Sequence, residues 1–372
     1  MRTTRNDGAC PLFKGGVSRL IPARDHALSY ARMTMEDRII FVVGNSRSGT
    51  TMMGRILGNH GRVFTFHELH FFEQMWSRGD RDRLLSRSEC LNTLSRLLCA
   101  QRDGYFAQCE KKYSSYLEEA GTIADASQSQ AAPLEVLRMF MSYEAARNGK
   151  SIPCEQTPRN VFYLKEILEF FPGARIVNMV RDPRDVLLSQ KRRWKRPFLS
   201  GQKVPRSQAI RYWVNYHPIT ISKLWNSSLR AADSCAADDR IYTLRFEDLV
   251  SNPDHHVRRL CDFIGIGYEE AMLRVPMIGS SSSHDDPETT GIDREKTGFW
   301  HGGGLNSSEL CILEWITAPY MAKHGYERSA MRANPFVLLF YLISFPFKIT
   351  AAFLLSLRRM KNITEAIKRR LQ

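Results

Sequence analysis

The run Arg38-Ile-Ile-Phe-Val-Val-Gly44 limits the fold of this chain more than any other stretch. Its apolar residues are consecutive rather than alternating, so both faces of the strand need cover, and such a strand belongs inside a parallel sheet. Gly44 ends the run, a loop of small residues follows, and Thr51-Met-Met-Gly-Arg-Ile-Leu57 resumes at the period of a helix. The same order returns later. Ala174-Arg-Ile-Val-Asn-Met-Val180 is a second apolar run, followed by Arg181-Asp-Pro-Arg-Asp185 and a segment bearing Val186, Leu187, Gln190 and Trp194, with Pro183 suited to a helix's first turn. Ile241-Tyr-Thr-Leu-Arg-Phe246 reads as a third buried strand, and Asp254 to Ile264 as a helix. Strands alternating with helices predict an α/β fold, a parallel sheet flanked by helices.

Two segments stand outside that alternation. From about Arg78 to Gly149 the pattern is helical and polar, which predicts an inserted helical region able to shape an acceptor site. The loop over about 279–298, centred on Ser280-Ser-Ser-Ser-His-Asp-Asp-Pro287, is rich in breakers and longer than an ordinary connection, so it is a candidate lid.

Gly44-Asn-Ser-Arg-Ser-Gly-Thr-Thr51 carries the glycine spacing of a P-loop between a strand and a helix. Glycines let the backbone approach phosphate oxygens, and the amides opening the next helix supply donors and a favourable dipole. The lysine that would reach a β- or γ-phosphate is replaced by Thr50, and Thr51 stands where a hydroxyl would hold magnesium. Arg47, inside the loop, suits a shorter phosphate chain met by a guanidinium fork.

Arg47-Ser-Gly-Thr-Thr51 resembles the 5′-phosphosulfate loop of the sulfotransferase superfamily, which uses 3′-phosphoadenosine 5′-phosphosulfate (PAPS). The resemblance runs from about Ile39 to Tyr326 and takes in Phe246-Glu-Asp-Leu249, Asn252-Pro253, Thr297-Gly-Phe-Trp300 and His324-Gly-Tyr326. Its layout is closest to the protein-tyrosine and bacterial subgroup. The resemblance implies sulfuryl transfer to an acceptor hydroxyl without a metal, with Arg47, Ser48, Gly49, Thr50 and Thr51 on the 5′ side of the donor. It places Arg181 and Ser189, with Arg193 one turn further, on the 3′-phosphate. A Glu 21 positions after the loop Arg is the base proposed for that subgroup, and Glu68 stands 21 after Arg47, with His67 and His70 as rivals. Where many relatives carry a Lys before Thr-Pro, this chain has Gln156, which would leave more of the developing charge to Arg47 and the loop amides. Glu73 reads as a solvated helix residue, and Phe66, Phe71, Phe72 and Trp76 as core. A P-loop kinase or nucleotidase, disfavoured by Thr50, and a membrane-docked nucleotide-binding module without turnover are the rival readings.

The formal charge of +14 suggests nucleic acid until it is located along the chain. Half of the excess falls in the last 41 residues and +4 in the first 34, so the nearly balanced body offers no duplex-binding face. Eight scattered cysteines, with no CxxC, read as free thiols rather than a metal site. Residues 1–34 read as a flexible extension without a signal-peptide core, 35–331 as the sulfotransferase domain, and 332–372 as a tail. Pro335 to Leu357 is apolar and long enough to cross a bilayer, but Pro346, Lys348 and the basic residues beyond argue for a helix lying on an anionic inner leaflet. A cytoplasmic enzyme peripherally attached to the inner face of a membrane, with a lipid-linked, glycolipid or glycan hydroxyl as acceptor, is the expectation.

Overall fold

The computed structural model describes residues 38–104, 112–125, 130–195, 198–199, 202–276, 290–293 and 297–355. The N-terminal extension, most of the candidate lid and the basic stretch after Leu355 lie outside the described residues. Five strands, β1 (Ile39–Gly44), β2 (Val63–Thr65), β3 (Ile152–Glu155), β4 (Ala174–Val180) and β5 (Ile241–Arg245), form one sheet in the order β2-β3-β1-β4-β5. Every pairing within it is parallel. The helices that matter for the site are α1 (Thr50–Gly58), α2 (Arg87–Arg102), α3 (Leu117–Asp125), α4 (Pro133–Arg147), α5 (Pro183–Arg192), α6 (Arg206–Asn215), α7 (Pro218–Asp233), α8 (Pro253–Ile264), α9 (Ser307–Lys323) and α10 (Pro335–Leu354).

The unbroken apolar run of β1 is explained by the two cores it feeds. Ile39, Phe41 and Val43 pack with Leu94, Leu97, Leu134, Leu137 and Phe140 of α2 and α4, whereas Ile40 and Val42 pack with Met53, Ile56 and Leu57 of α1 and Val257, Leu260 and Ile264 of α8. Alternate side chains of a strand leave on opposite faces, so one segment anchors both layers. Among the described residues between 78 and 149 lie α2, α3 and α4. They are stitched by charge: Arg102 of α2 donates to Glu119 of α3 at 2.5 and 2.7 Å and to Glu144 of α4, and Tyr143 Oη donates to Glu119 at 2.7 Å. The third strand departs from expectation. β5 is the sheet's edge, and only Leu244 within it is buried, because it has a neighbour on one side alone.

Helix starts follow local chemistry. Ser86 with Glu89 opens α2 and Asn306 with Glu309 opens α9 as reciprocal caps, while proline fixes the first turn of α5, α7 and α8. Asn334 caps α10, accepting from Phe336 N at 3.0 Å and Val337 N at 3.3 Å. That helix is long and apolar enough to cross a membrane, and 11% of its most apolar window is buried. It docks along one side: Lys348 Nζ donates to Trp213 O at 3.2 Å and sits 3.6 Å from the Trp213 ring, Asn306 Nδ2 donates to Tyr341 Oη at 3.2 Å, and His217 Nε2 lies 3.1 Å from Tyr341 O.

Candidate active site

The register brings the functional segments to one end of the sheet. Gly44 pairs with Met179 and Val180 with Arg245, so the loop after β1, Arg181 after β4 and Phe246 after β5 emerge side by side. β1 has β3 on one flank and β4 on the other, the point at which an open α/β sheet forms its crevice. A Cβ on Gly44 would run into the Met179 carbonyl, and one on Gly49 into the Phe246 ring, so both glycines are required by close approach. Gly49 (φ 93°) precedes α1 in the left-handed region and no side chain caps that helix. Its first-turn amides are thus left for an anion. Ser48 is fully buried, and among the described residues its Oγ has no hydrogen-bond partner, which suits it to accept or donate to a bound oxygen. Thr50 is buried and Thr51 half-buried in the opening turn.

Arg47, Arg181 and Ser189 meet. Arg47 Nε donates to Ser189 Oγ at 3.0 Å, and Arg181 Nη1 approaches Arg47 O at 3.4 Å. Arg181 is stacked 4.3 Å from the centre of the Phe246 ring, and its backbone carbonyl accepts from Trp225 Nε1 at 3.1 Å. It also faces Asp185 at 3.6 Å. Burial pushes the Asp185 carboxyl up, against Arg181 and two backbone donors. Those donors are Gly298 N at 2.9 Å and Trp300 N at 3.0 Å, so Asp185 ties the Thr297-Gly-Phe-Trp300 segment to the start of α5. Arg184 stacks 4.1 Å from the Trp300 ring. Arg193 lies 3.9 Å from the Tyr212 ring and close enough to Glu68 to act on its charge.

Glu68 follows β2 on the other flank of the loop and keeps 40% of its side chain exposed. Burial works against its charge, but the hydrogen bond and charge of His70, with Arg193 and Arg47 behind, hold the carboxyl below its ordinary range. It is therefore ionised at neutral pH and able to accept a proton. His70 Nε2 is 3.3 Å from Glu68 Oε2 and its Nδ1 3.1 Å from Glu73 Oε2; despite burial, the two carboxylates push the imidazole up to about 10. His67 stays at the surface, its backbone N–H donating to Gln101 Oε1 of α2 at 2.9 Å, which sets α2 beside the Glu68 segment. Glu73 is not solvated: it holds His70 and, at 2.6 Å, Arg159 Nη1, because a segment distant in sequence folds over it. Phe66, Phe71, Phe72 and Trp76 are core, as expected.

The end of β3 and the residues after it fix this segment, and the part played by Glu155 was not foreseen. Glu155 is buried and accepts from Thr157 N at 3.0 Å and Leu69 N at 3.4 Å, and from Thr157 Oγ1 and Asn160 Nδ2. Burial outweighs these bonds and pushes its carboxyl up to about 7. A charged residue closing an apolar strand was the available signal. Gln156 turns inward: its Nε2 donates to Phe66 O at 2.9 Å, and its Oε1 lies where a Cβ on Gly54 would stand. Here it supports the β2 end rather than reaching for a transferring group. Among the described residues no group of three His, Cys, Asp or Glu is arranged to hold a metal.

A parallel sheet whose ends carry a glycine cradle, a guanidinium pair and an ionised carboxylate defines an α/β enzyme that transfers a group from a phosphate-bearing donor. The family model described as "Sulfotransferase family" matches residues 39–270, and the chain belongs to that family: it moves a sulfuryl group from PAPS to an acceptor. It is 26% identical over 323 residues to omega-hydroxy-beta-dihydromenaquinone-9 sulfotransferase Stf3 of Mycobacterium tuberculosis, spanning 80% of this chain and 78% of that one. It is 24% identical over 313 residues to protein-tyrosine sulfotransferase 1 of Danio rerio, spanning 80% and 74%. Among solved structures, the sulfotransferase domain of the Synechococcus PCC 7002 olefin synthase aligns over 80% of this chain and 97% of its own, at 19% identity and TM-score 0.48. Mouse sulfotransferase SULT7A1 complexed with PAP aligns over 80% and 89%, at 11% identity and TM-score 0.37.

Proposed function

We propose that this sulfotransferase acts at a membrane surface on the hydroxyl of a lipid-linked or glycolipid acceptor, with Glu68 as base. The observation that carries the reading is the convergence of Arg47, Arg181 and Ser189 beside the unpartnered, buried Ser48 hydroxyl. In this reading Arg47, Ser48, Gly49, Thr50 and Thr51 take the 5′-phosphosulfate, and Arg181 and Ser189 the 3′-phosphate. Arg193 adds charge between the donor and Glu68. Donors already aimed at the leaving phosphate need no reorganisation as its charge develops. The acceptor oxygen bonds to sulfur, the bond from sulfur to the phosphate oxygen breaks, and the acceptor's proton passes to Glu68.

The membrane address is supported by α10, whose Phe336 and Phe347 are 82% and 73% exposed, and by the basic residues that follow it in the sequence. The mycobacterial relative is named for a hydroxylated menaquinone, consistent with an acceptor drawn from the bilayer. Radiolabelled PAPS incubated with the enzyme and a membrane extract should yield label in the organic-soluble fraction. Label confined to water-soluble glycans would overturn the lipid assignment.

A further inference from the structure

Both ring nitrogens of His70 face carboxylates: Nε2 is 3.3 Å from Glu68 Oε2, and Nδ1 is 3.1 Å from Glu73 Oε2. A neutral imidazole has one N–H and would turn a lone pair on one of these oxygens, so this arrangement calls for the doubly protonated ring. The backbone is bent to achieve it. His70 has φ 52°, and its amide donates to Thr157 Oγ1 at 3.3 Å, the threonine itself being fixed by Glu155. Glu73 is held on its other oxygen by Arg159 Nη1 at 2.6 Å. A left-handed, non-glycine residue costs about 1–3 kcal/mol and persists where its surroundings over-determine it.

We propose that His70 is a positioning residue for the sulfuryl-transfer reaction: clamped by Glu73 and Arg159, it fixes one oxygen of Glu68 so that the other faces the acceptor hydroxyl. The proposal rests on Glu68 as the base. With Oε2 bonded to His70, the proton leaving the acceptor oxygen goes to the remaining carboxylate oxygen as the oxygen–sulfur bond forms. The charged groups that bear on the pair are Glu68, Glu73 and Glu155 on one side and Arg47, Arg193 and Arg159 on the other. The imidazolium makes Glu68 a weaker base but keeps it ionised and aimed down to lower pH.

The test is the pH dependence of kcat/KM for the parent, His70→Asn, Glu73→Gln and Glu68→Gln, alongside affinity for adenosine 3′,5′-bisphosphate. Asn tolerates the left-handed backbone at position 70, so the substitution removes the charge without forcing the loop. The acid limb, which reports the base of the free enzyme, should move up by about 1–3 pH units in His70→Asn, the influence of one opposite charge at this range. Glu73→Gln, in which His70 keeps its proton through that limb while a neighbouring anion is lost, should move it slightly down, and bisphosphate affinity should hold in both. A merely structural His70 would lower stability and leave the limb where it is. An unmoved limb in both folded variants, with Glu68→Gln inactive, overturns the clamp alone. Parental turnover in Glu68→Gln overturns the base assignment, and the clamp with it.

Discussion

Arg47 and His70 are the two non-glycine residues with positive φ among the described residues, at 80° and 52°, and both lie at the C-terminal end of the sheet. Strain gathered at a crevice points to side chains that must aim in one direction. For Arg47 that direction is Ser189, which with Arg181 forms the anion site proposed for the 3′-phosphate. Arg181→Ala and Ser189→Ala should each weaken adenosine 3′,5′-bisphosphate by about 1–3 kcal/mol, as titration calorimetry would read, and affect adenosine 5′-monophosphate far less. Equal losses for both nucleotides would remove the assignment. His70 makes a second prediction. Its folded value of about 10 stands above the ordinary 6.5, so its contribution to stability is complete below 6.5 and is lost as pH rises through 10. Glu155, raised to about 7 from 4.5, adds to the same alkaline decline from 4.5 upward. The melting temperature of the parent should therefore fall between pH 6.5 and 10 more steeply than that of His70→Asn. Parallel profiles would contradict it. Glu68 was singled out through the resemblance, which places a carboxylate 21 positions after Arg47. The His70–Glu73–Arg159 chain was not, since Arg159 arrives from 86 residues beyond Glu73 through tertiary folding.

The loop and helix α1 work through backbone, which is why the sequence revealed them: a glycine at each end of Gly44-Asn-Ser-Arg-Ser-Gly49 records a close approach that no side chain permits. Gly49→Ala would place a methyl group against Phe246, the ring that supports Arg181, and strain a φ of 93°. It should cost about 1–3 kcal/mol in unfolding free energy by urea titration and weaken bisphosphate binding. Unchanged stability and affinity would mean that Phe246 yields freely and the cradle is less tightly built. Strand β1 was readable from its unbroken apolar run, β4 from a mostly apolar one, and α5 from its proline and period. β5 was misjudged as buried because its position at the edge depends on sheet order, and order is set by crossovers that no single run encodes. The inward turn of Gln156 was hidden for a related reason: it depends on Gly54 of α1, on another element, leaving room.

Helix α10 joins this fold by a few polar contacts and presents its apolar side outward. Every residue proposed for the donor or the base precedes Pro335. Deleting residues 335–372 should release the protein from membranes in flotation assays while bisphosphate binding persists, with a modest loss of stability from the uncovered His217 and Trp213. High salt should free the full chain only in part, because screening removes the basic contribution and leaves the apolar one. Loss of nucleotide binding on truncation would make α10 part of the core, and resistance to both salt and alkaline extraction would make it a true span. The most direct measurement is sulfuryl transfer itself, followed with radiolabelled PAPS and a membrane extract for the parent and for Glu68→Gln. The parent should transfer label, and Glu68→Gln, binding the bisphosphate as well as the parent, should be slower by about 10²–10⁴. A parent that binds the bisphosphate yet transfers no label, or a variant that transfers it at the parental rate, would contradict this assignment of the site.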